Sequence, residues 1–342
     1  MRIVTGAAVL TSLSLIACGS TTDSTAPVAE PASSQPAFKP AAAPEGYTRF
    51  TAKTIPEIQP GADVTYCQYV MPPLDRDMDV LNVGGYQSKF GHHAVAFSYT
   101  DNGTQVIGES TQCMGTEVGE IPMPGSSALS EIGTFLGGIG GDISESGQTL
   151  PEGVAFRMKA GQGIMLNVHY INTGPTAMSG DAVVDVQFAE VDPNRKIAAL
   201  FVNVNADFDL PAGGQFDSSA GCVAGSDVKI LMLSNHMHEY GTSAKTEVVR
   251  AGTGVVEVLH HDPEWTYEMQ FNGVYSRWPV DSPFVLHTGD TITTSCSWRN
   301  PTAESIVFPR EMCIGVGFAL ASGDDPTAPA CFQGQWFTGF GR

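Results

Sequence analysis

The chain has 342 residues, and 36 acidic against 17 basic side chains give it a formal net charge of −19. This charge excludes nucleic-acid binding as a leading function, because such binding depends largely on Lys and Arg replacing the counterions of phosphates. With 38 Gly and 22 Pro, the composition excludes a helical bundle and favours short strands joined by tight turns. Since the length exceeds what one hydrophobic core usually serves, we expect an all-β protein with two domains.

Residues 1–17 have the character of a secretory signal peptide, in which Arg2 precedes a short apolar run that ends in small residues. The tetrad Leu15-Ile16-Ala17-Cys18 resembles the lipobox of bacterial lipoproteins, where the signal is cut before a cysteine that then carries acyl chains. The resemblance implies lipidation of Cys18, and Gly19 implies an outer-membrane location facing the periplasm or the cell surface. An ordinary signal with a chance cysteine is the alternative. Acyl chains would hold an otherwise soluble protein at a membrane surface.

The segment that follows is rich in Pro, Ser, Thr and Ala, with a single aromatic residue, Phe38. Such a composition cannot bury enough apolar area to offset the entropy of ordering, so residues 18–45 are expected to be a disordered linker. Two domains should follow, at 46–193 and 194–342. Their boundary is placed in Glu190–Lys196, a charged stretch that contains Pro193.

Short runs with a period of two, rich in β-branched residues and separated by Gly, Asn and Asp, recur from Thr48 onward. This pattern predicts strands and hairpins, and β-sandwiches are their natural architecture. Two segments are expected to differ: 127–135 as a short helical turn and Gly137–Gly141 as a flexible loop. The predicted strands are 64–72, 93–100, 163–171, 182–191, 198–210, 228–238, 245–250, 254–261, 290–298 and 312–320.

Six cysteines remain when Cys18 is set aside, and no two of them form a CxxC pair. An even number beyond a secretion signal predicts three structural disulfides in an oxidising compartment. Counting leaves the connectivity open. Cys296 and Cys313 are 17 residues apart and would close a loop worth roughly 3 kcal/mol in the chain-entropy model.

Histidines recur in the predicted strands. His236 and His238 alternate along one strand and therefore share a face, where two imidazoles can chelate one metal. His169 lies in another predicted strand. His92 and His93 are adjacent, so both could reach one metal only at a strand end or at a bulge after Gly91.

Each of these residues taken alone is more often an ordinary core or surface side chain than a ligand. The combination of neutral imidazoles with a candidate thioether, Met312, favours copper over zinc, which rarely accepts thioether. The remaining histidines, at positions 260, 261 and 287, have no place in this set, and surface or supporting roles are expected for them.

Four short motifs occur along the chain in this order: Gly91-His92-His93, Val168-His169-Tyr170, His236-Met237-His238 and Glu311-Met312-Cys313. Their order and approximate spacing resemble the copper type II, ascorbate-dependent monooxygenases, a family that includes peptidylglycine α-hydroxylating monooxygenase and dopamine β-hydroxylase. Leu286–Asp290 followed by Thr294-Ser295-Cys296 is most similar to the second of these branches. The resemblance extends from about Cys67 to Cys331.

The resemblance implies two tandem jelly-roll-like β-sandwich domains, each with one copper ion, facing each other across a solvent-filled cleft. It implies an electron-storing copper held by His92, His93 and His169, and an oxygen-activating, catalytic copper held by His236, His238 and Met312. The disulfides that it implies are Cys67–Cys113, Cys222–Cys331 and Cys296–Cys313.

The reaction implied by the resemblance is hydroxylation of a C–H bond of a small-molecule substrate by O2, with ascorbate or a similar donor as reductant. The sequence departs from the peptide-hydroxylating branch at three positions. Ser234 stands where that branch has an Arg that helps hold the substrate carboxylate, while Ile314 and Val316 replace an Asn and a Tyr. Peptide amidation is therefore disfavoured, and a more apolar pocket is expected.

Two other functions stay open. One is a periplasmic or cell-surface copper-binding protein on the same scaffold without oxygenase activity. A weaker one is a zinc hydrolase with three His ligands. No HExxH, GxSxG or P-loop motif supports hydrolysis or phosphate chemistry.

Overall fold

Strands and turns form almost all of the regular structure in the computed structural model, which describes residues 37–113, 133–141, 146–308, 310–321 and 328–340. The helical element of this described part is a single 3-10 turn at Tyr267–Gln270. Within it, no helix has the length and apolar character needed to cross a bilayer. The predicted signal peptide, Cys18 and the linker up to residue 36 lie outside the described residues, as does most of the helical turn predicted at 127–135. The all-β expectation is confirmed.

Twelve strands lie before the predicted domain boundary in the part of the chain that the structure describes. They are β1 Thr48–Thr51, β2 Ile55–Ile58, β3 Asp63–Met71, β4 Met78–Gln87, β5 Gly91–Thr100, β6 Ser110–Gln112, β7 Phe135–Gly140, β8 Ser146–Thr149, β9 Val154–Met158, β10 Gln162–Ile171, β11 Met178–Gly180 and β12 Ala182–Glu190.

Thirteen strands follow that boundary in the described chain. They are β13 Lys196–Asn205, β14 Asp209–Leu210, β15 Gln215–Val223, β16 Val228–His236, β17 Gly241–Val249, β18 Val256–Asp262, β19 Ser276–Arg277, β20 Phe284–Leu286, β21 Thr291–Arg299, β22 Ile306–Val307, β23 Cys313–Leu320, β24 Ala328–Phe332 and β25 Gln335–Phe340.

One large sheet contains strands from both halves of the chain, in the order β1-β12-β4-β9-β13-β23-β16-β19, with β8, β20, β24 and β25 attached beside this path. A five-stranded sheet, β6-β3-β10-β5-β7, belongs to the first half, and a four-stranded sheet, β15-β21-β17-β18, belongs to the second. Two short sheets, β2-β11 in the first half and β14-β22 in the second, complete the described part. Each half therefore supplies one part of the large sheet and two sheets of its own.

The buried core lies between these sheets. In the first half, Val184 of β12 belongs to the same buried apolar cluster as Ala94 of β5 and Leu166 of β10. In the second half, Phe201 of β13 shares a cluster with Ile292 of β21. Alternation along each strand places these side chains on the inner faces, which is the pattern of a β-sandwich.

The predicted boundary between residues 193 and 194 falls in the connection from β12 to β13. Across it, β9 and β13 pair in parallel, with Lys196 opposite Val154, and Ala198 and Phe318 join the core cluster of the first half. Residues 37–342 form one compact unit. The division into two tandem domains thus stays a prediction.

The glycine-rich segment Gly137–Gly141 was expected to be a flexible loop, and this expectation is wrong, because β7 covers Phe135–Gly140 and pairs with β5. A Cβ added at Gly137 would lie 2.6 Å from the Cβ of Val83 on β4. Glycine therefore lets this strand approach the facing sheet more closely than another residue would allow.

The three expected disulfides are all present. Cys67–Cys113 joins β3 to the residue after β6, Cys222–Cys331 joins β15 to β24, and Cys296–Cys313 joins β21 to β23. The last pair anchors the start of β23, directly after Met312.

Candidate metal centre

A β-bulge brings the first three histidines together. In the pairing of β5 with β10, His169 lies opposite His93 while Tyr170 lies opposite Gly91, so His92 is the extra residue between them. Such a bulge lets two consecutive side chains point to one place, as the sequence required. The ligand nitrogens of His92, His93 and His169 lie within 4.8 Å of one another.

Neighbouring oxygens fix the tautomers of two of these rings. The Nε2 of His93 lies 3.1 Å from Asn167 Oδ1, and the Nε2 of His169 lies 2.5 Å from Asp63 Oδ1. Because these oxygens accept hydrogen bonds, each Nε2 carries the proton and each Nδ1 keeps a lone pair. The Nδ1 of His93 faces the Nδ1 of His92 at 3.1 Å.

Gln87 connects β5 and β10, the two strands that carry these histidines. Its buried side-chain amide donates to the carbonyl of His93 at 2.9 Å and to that of His169 at 3.1 Å. A Cβ at Gly91 would lie 2.6 Å from the Gln87 side chain. Glycine at this position therefore leaves space for the Gln87 side chain to make both hydrogen bonds. The sequence analysis did not single out Gln87, because nothing in its local pattern marks it.

The second set lies at the end of β16, where the rings of His236 and His238 have centroids 5.1 Å apart. His238 Nδ1 donates to the carbonyl of Arg310 at 2.9 Å. This bond leaves the lone pair on Nε2, which is buried and has no hydrogen-bond partner. An outer hydrogen bond of this kind orients an imidazole for a metal.

The pairing of β16 with β23 ends just before Met312. Ser234 lies opposite Val316, and His236 lies opposite Ile314, where the ladder stops. His238 and Met312 both lie just beyond the paired residues, and Met312 is partly buried. The placement of the Met312 sulfur beside the two histidines therefore stays a prediction.

Glu311 supports this arrangement from the protein interior. Its fully buried carboxylate accepts hydrogen bonds from the backbone N–H groups of His238 and Tyr240 and from the indole of Trp298, at 3.1, 2.7 and 3.0 Å. Burial raises the pKa of Glu311 to about 7. Sequence reasoning assigned no role to this residue, although a Glu in an apolar strand context was the available signal.

The two histidine sets meet instead of facing each other across a solvent-filled cleft. The ring of His92 lies 4.6 Å, between centroids, from His169 and also 4.6 Å from His238. The solvent-filled cleft expected between the two sets is therefore absent where these rings meet. Like His238, His92 has a buried Nε2 without a hydrogen-bond partner.

Burial keeps the cluster uncharged. Desolvation lowers the pKa of His93 to about 3 and that of His236 to about 4. Desolvation, followed by the neighbouring imidazoles, also lowers the pKa values of His92 and His238 well below the ordinary value. Neutral imidazole is the form that binds metal.

A cavity of about 250 Å³ adjoins the cluster and is lined by His92, His93 and His236. The three positions at which the sequence departs from the peptide-hydroxylating branch, Ser234, Ile314 and Val316, all line it. Most of the other lining side chains are apolar. This arrangement agrees with the apolar pocket expected from those departures.

No family model matches the chain, and no curated protein matches it. Among solved structures, it is similar to the triple jelly-roll fold of an archaeal virus, at 9% identity and a TM-score of 0.22, covering 84% of this chain but 62% of that one. It is also similar to PBCV-1 VP54, fitted into the virophage Sputnik, at 7% identity, a TM-score of 0.28 and coverage of 86% and 97%. The third is VP2 of infectious bursal disease virus, at 11% identity, a TM-score of 0.19 and coverage of 83% and 74%. The chain thus spans less than two thirds of the first of these proteins, and at these TM-scores the likenesses carry no argument about function.

The other histidines lie apart from the cluster. His260 is buried and bonds to Ser276 Oγ at 2.9 Å and to Asp262 Oδ1 at 3.2 Å. His261 is exposed, and His287 lies on the surface beside Asp227.

The donors of the cluster fit copper. They are imidazole nitrogens with one candidate thioether, Met312, a combination that suits the reduced ion. The orphaned Nε2 atoms of His92 and His238 are a second indication, since buried polar atoms in folded proteins almost always have a partner.

Proposed function

We propose that this protein is a copper-dependent monooxygenase that hydroxylates a C–H bond of a small organic substrate. The observation that carries the proposal is the convergence of five imidazoles beside a largely apolar cavity. A structural cluster would satisfy its buried nitrogens internally, whereas two of these nitrogens have no partner in the protein.

Two copper ions are proposed, one for each ligand set. His92, His93 and His169 would hold the electron-storing ion, and His236, His238 and Met312 would hold the oxygen-activating ion. When bound, these ions supply one-electron storage and oxygen activation, so that R–H, O2, two electrons from an ascorbate-type donor and two protons give R–OH and water.

The residues around the ligands prepare them for this task. Asn167 and Asp63 keep the Nδ1 lone pairs of His93 and His169 available, and the Arg310 carbonyl does the same for Nε2 of His238. Burial keeps the imidazoles unprotonated at neutral pH. The cavity positions a C–H bond beside His236 and excludes bulk water from the reacting atoms.

The proposal includes secretion and an acyl anchor at Cys18, with the folded part held at the outer membrane. Three disulfides are compatible with an oxidising compartment outside the cytoplasm.

The test is to load the purified protein with copper, measure the metal content, and follow oxygen consumption with ascorbate in the presence and absence of candidate substrates. We expect two copper ions per chain and oxygen uptake that depends on substrate and yields a hydroxylated product. Two bound ions without turnover on any substrate would favour the copper-binding function. A protein that binds zinc but not copper would contradict both.

A further inference from the structure

We propose that the cavity beside His236 selects small, uncharged and largely apolar molecules, which are then the substrate class of this protein. That these molecules are substrates rests on the proposed function. That the cavity binds them selectively does not. The cavity has a volume of about 250 Å³, which suits a molecule with one ring rather than a peptide. Its apolar lining includes Phe135, Ile139, Val202, Phe271, Ile314 and Val316.

Charge is the first argument. None of the described residues that line the cavity is a Lys, Arg, Asp or Glu. An ammonium or carboxylate group that entered would lose its hydration without gaining an ion partner, and this costs several kcal/mol.

Three of the polar side chains that line the cavity are bonded within the protein. Ser234 Oγ donates to the carbonyl of Asn235 at 3.2 Å, and Gln270 Nε2 donates to the carbonyl of Tyr267 at 2.8 Å. The side chain of Asn235 bonds to Asp262 and Thr246. A ligand therefore meets few free donors and gains mainly from burying apolar surface.

The position of Val316 connects the cavity to the ligands. Val316 and Ile314 lie on the strand that begins after Met312, opposite Ser234 and His236. Successive residues on one face of a strand are about 6.6 Å apart. A molecule packed against Val316 therefore lies within one or two such steps of the second ligand set.

Phe271 is an aromatic part of the cavity lining. Its ring lies 6.1 Å, between centroids, from His92, and a Cβ added at Gly140 or Gly141 would come within 3.2 Å of the Phe271 side chain. The two glycines leave the space that this side chain occupies. A molecule in the cavity can therefore pack against an aromatic ring close to His92.

The experiment measures binding by calorimetry to the full chain, both stripped of copper and loaded with it. Three probes share one ring and differ in charge: 2-phenylethanol, 2-phenylethylammonium and phenylacetate. We expect the neutral alcohol to bind at least about tenfold more tightly than either ion, a difference of about 1.4 kcal/mol. Val316→Phe should weaken its binding by about tenfold, because the added ring fills the cavity. Val258→Phe, on an exposed position of β18, is the matched control and should change nothing.

Val316→Ala enlarges the same cavity and guards against a Phe variant that fails to fold. It should increase the affinity for 2-naphthylethanol relative to 2-phenylethanol. Three results would overturn the inference. They are tight binding of either ion, no binding of the alcohol, and an affinity for the alcohol that is the same in Val316→Phe as in the natural chain and the Val258→Phe control. The two proposals can fail separately. A chain that binds the neutral alcohol selectively but takes up no copper would refute the proposed function alone. Copper-dependent turnover of a charged substrate would refute the selectivity alone.

Discussion

At the scale of single residues, the two proposed ligand sets differ in one donor. The first would have three imidazoles, while the second would have two imidazoles and the thioether of Met312. A thioether is a weak ligand that favours the reduced ion. The loss of Met312 should therefore lower reactivity at the second set and leave the copper content of the first set unchanged.

Met312→Ala is therefore expected to reduce turnover by at least about 100-fold, or about 2.7 kcal/mol, while the His92, His93 and His169 set keeps its copper. Copper content and the electron paramagnetic resonance of the oxidised protein would show this, together with oxygen uptake. Met71→Ala, a partly buried methionine of β3, is the control. Equal copper loss from both sets would contradict the assignment of Met312.

The carboxylate of Asp63 offers a second test at this scale. It lies 2.5 Å from Nε2 of His169 and is 41% exposed, so its removal should disturb the ligand more than the fold. We expect Asp63→Ala to weaken copper binding to the first set by about tenfold, as loss of an outer hydrogen bond to a ligating histidine usually does. Competition with a chelator measures the affinity. Asp217→Ala, at an exposed position of β15, should leave it unchanged.

At the scale of elements, the predicted strands agree well with the structure where alternation was clear. The run predicted at 163–171 is β10 at Gln162–Ile171, and the run at 182–191 is β12 at Ala182–Glu190. The pattern fails in two ways. The run at 198–210 is broken between β13 and β14, and Met78–Gln87 was not predicted although it forms β4. Alternation of apolar and polar residues does not show where the pairing between two strands ends. It also misses a strand such as β4, in which a Gly-Gly pair interrupts the pattern.

The glycine strand β7 shows the same limit most clearly. Gly137 has φ of +141° and lies against Val83, so its presence is explained by a neighbour more than 50 positions away in the sequence. We expect Gly137→Ala to lower the free energy of unfolding by about 1–3 kcal/mol, because the added Cβ must displace a packed side chain. Gly138→Ala, where the nearest contact of a Cβ is 3.2 Å with the Val95 side chain, should cost less. Chemical denaturation of both variants decides this, and an equal loss would contradict the packing argument.

At the scale of the whole molecule, the convergence of His92, His93 and His169 was predictable from the sequence, but the arrangement of the two histidine sets was not. The bulge at His92 is what adjacent histidines need if both are to reach one site. The sequence did not predict the 4.6 Å contact between His92 and His238, the pairing of β9 with β13 or the core that both halves share. Those contacts join residues far apart in the chain, and no spacing rule reports them.

The joint predicted at Glu190–Lys196 illustrates how the halves are fixed. The fully buried carboxylate of Asp79 accepts hydrogen bonds from Arg157, at 2.7 Å, and from Arg195 within the joint. Two cations on one buried carboxylate hold the connection against the large sheet.

A buried neutral histidine cluster also gives the copper-free molecule a characteristic dependence on pH. The pKa values of His93 and His236 are about 3 and about 4 in the folded state, against an ordinary value of 6.5. Below pH 6.5 these histidines therefore bind protons in the unfolded chain but not in the folded chain. The free energy of unfolding should fall as the pH is lowered from about 6.5 to about 4. Glu311 acts in the opposite sense, because its pKa of about 7 lies above the ordinary 4.5 and acidification relieves its buried charge.

The contribution of the histidines is isolated by comparison with the variant H93Q/H236Q, which keeps Glu311. Urea denaturation of the two copper-free proteins at several pH values between 7 and 4.5 measures the free energy of unfolding directly. We expect the natural chain to lose stability more steeply on acidification than the variant, since glutamine does not titrate. Parallel curves would mean that these imidazoles are hydrated in the copper-free protein, and the ligand cluster would then not be held neutral before metal binds.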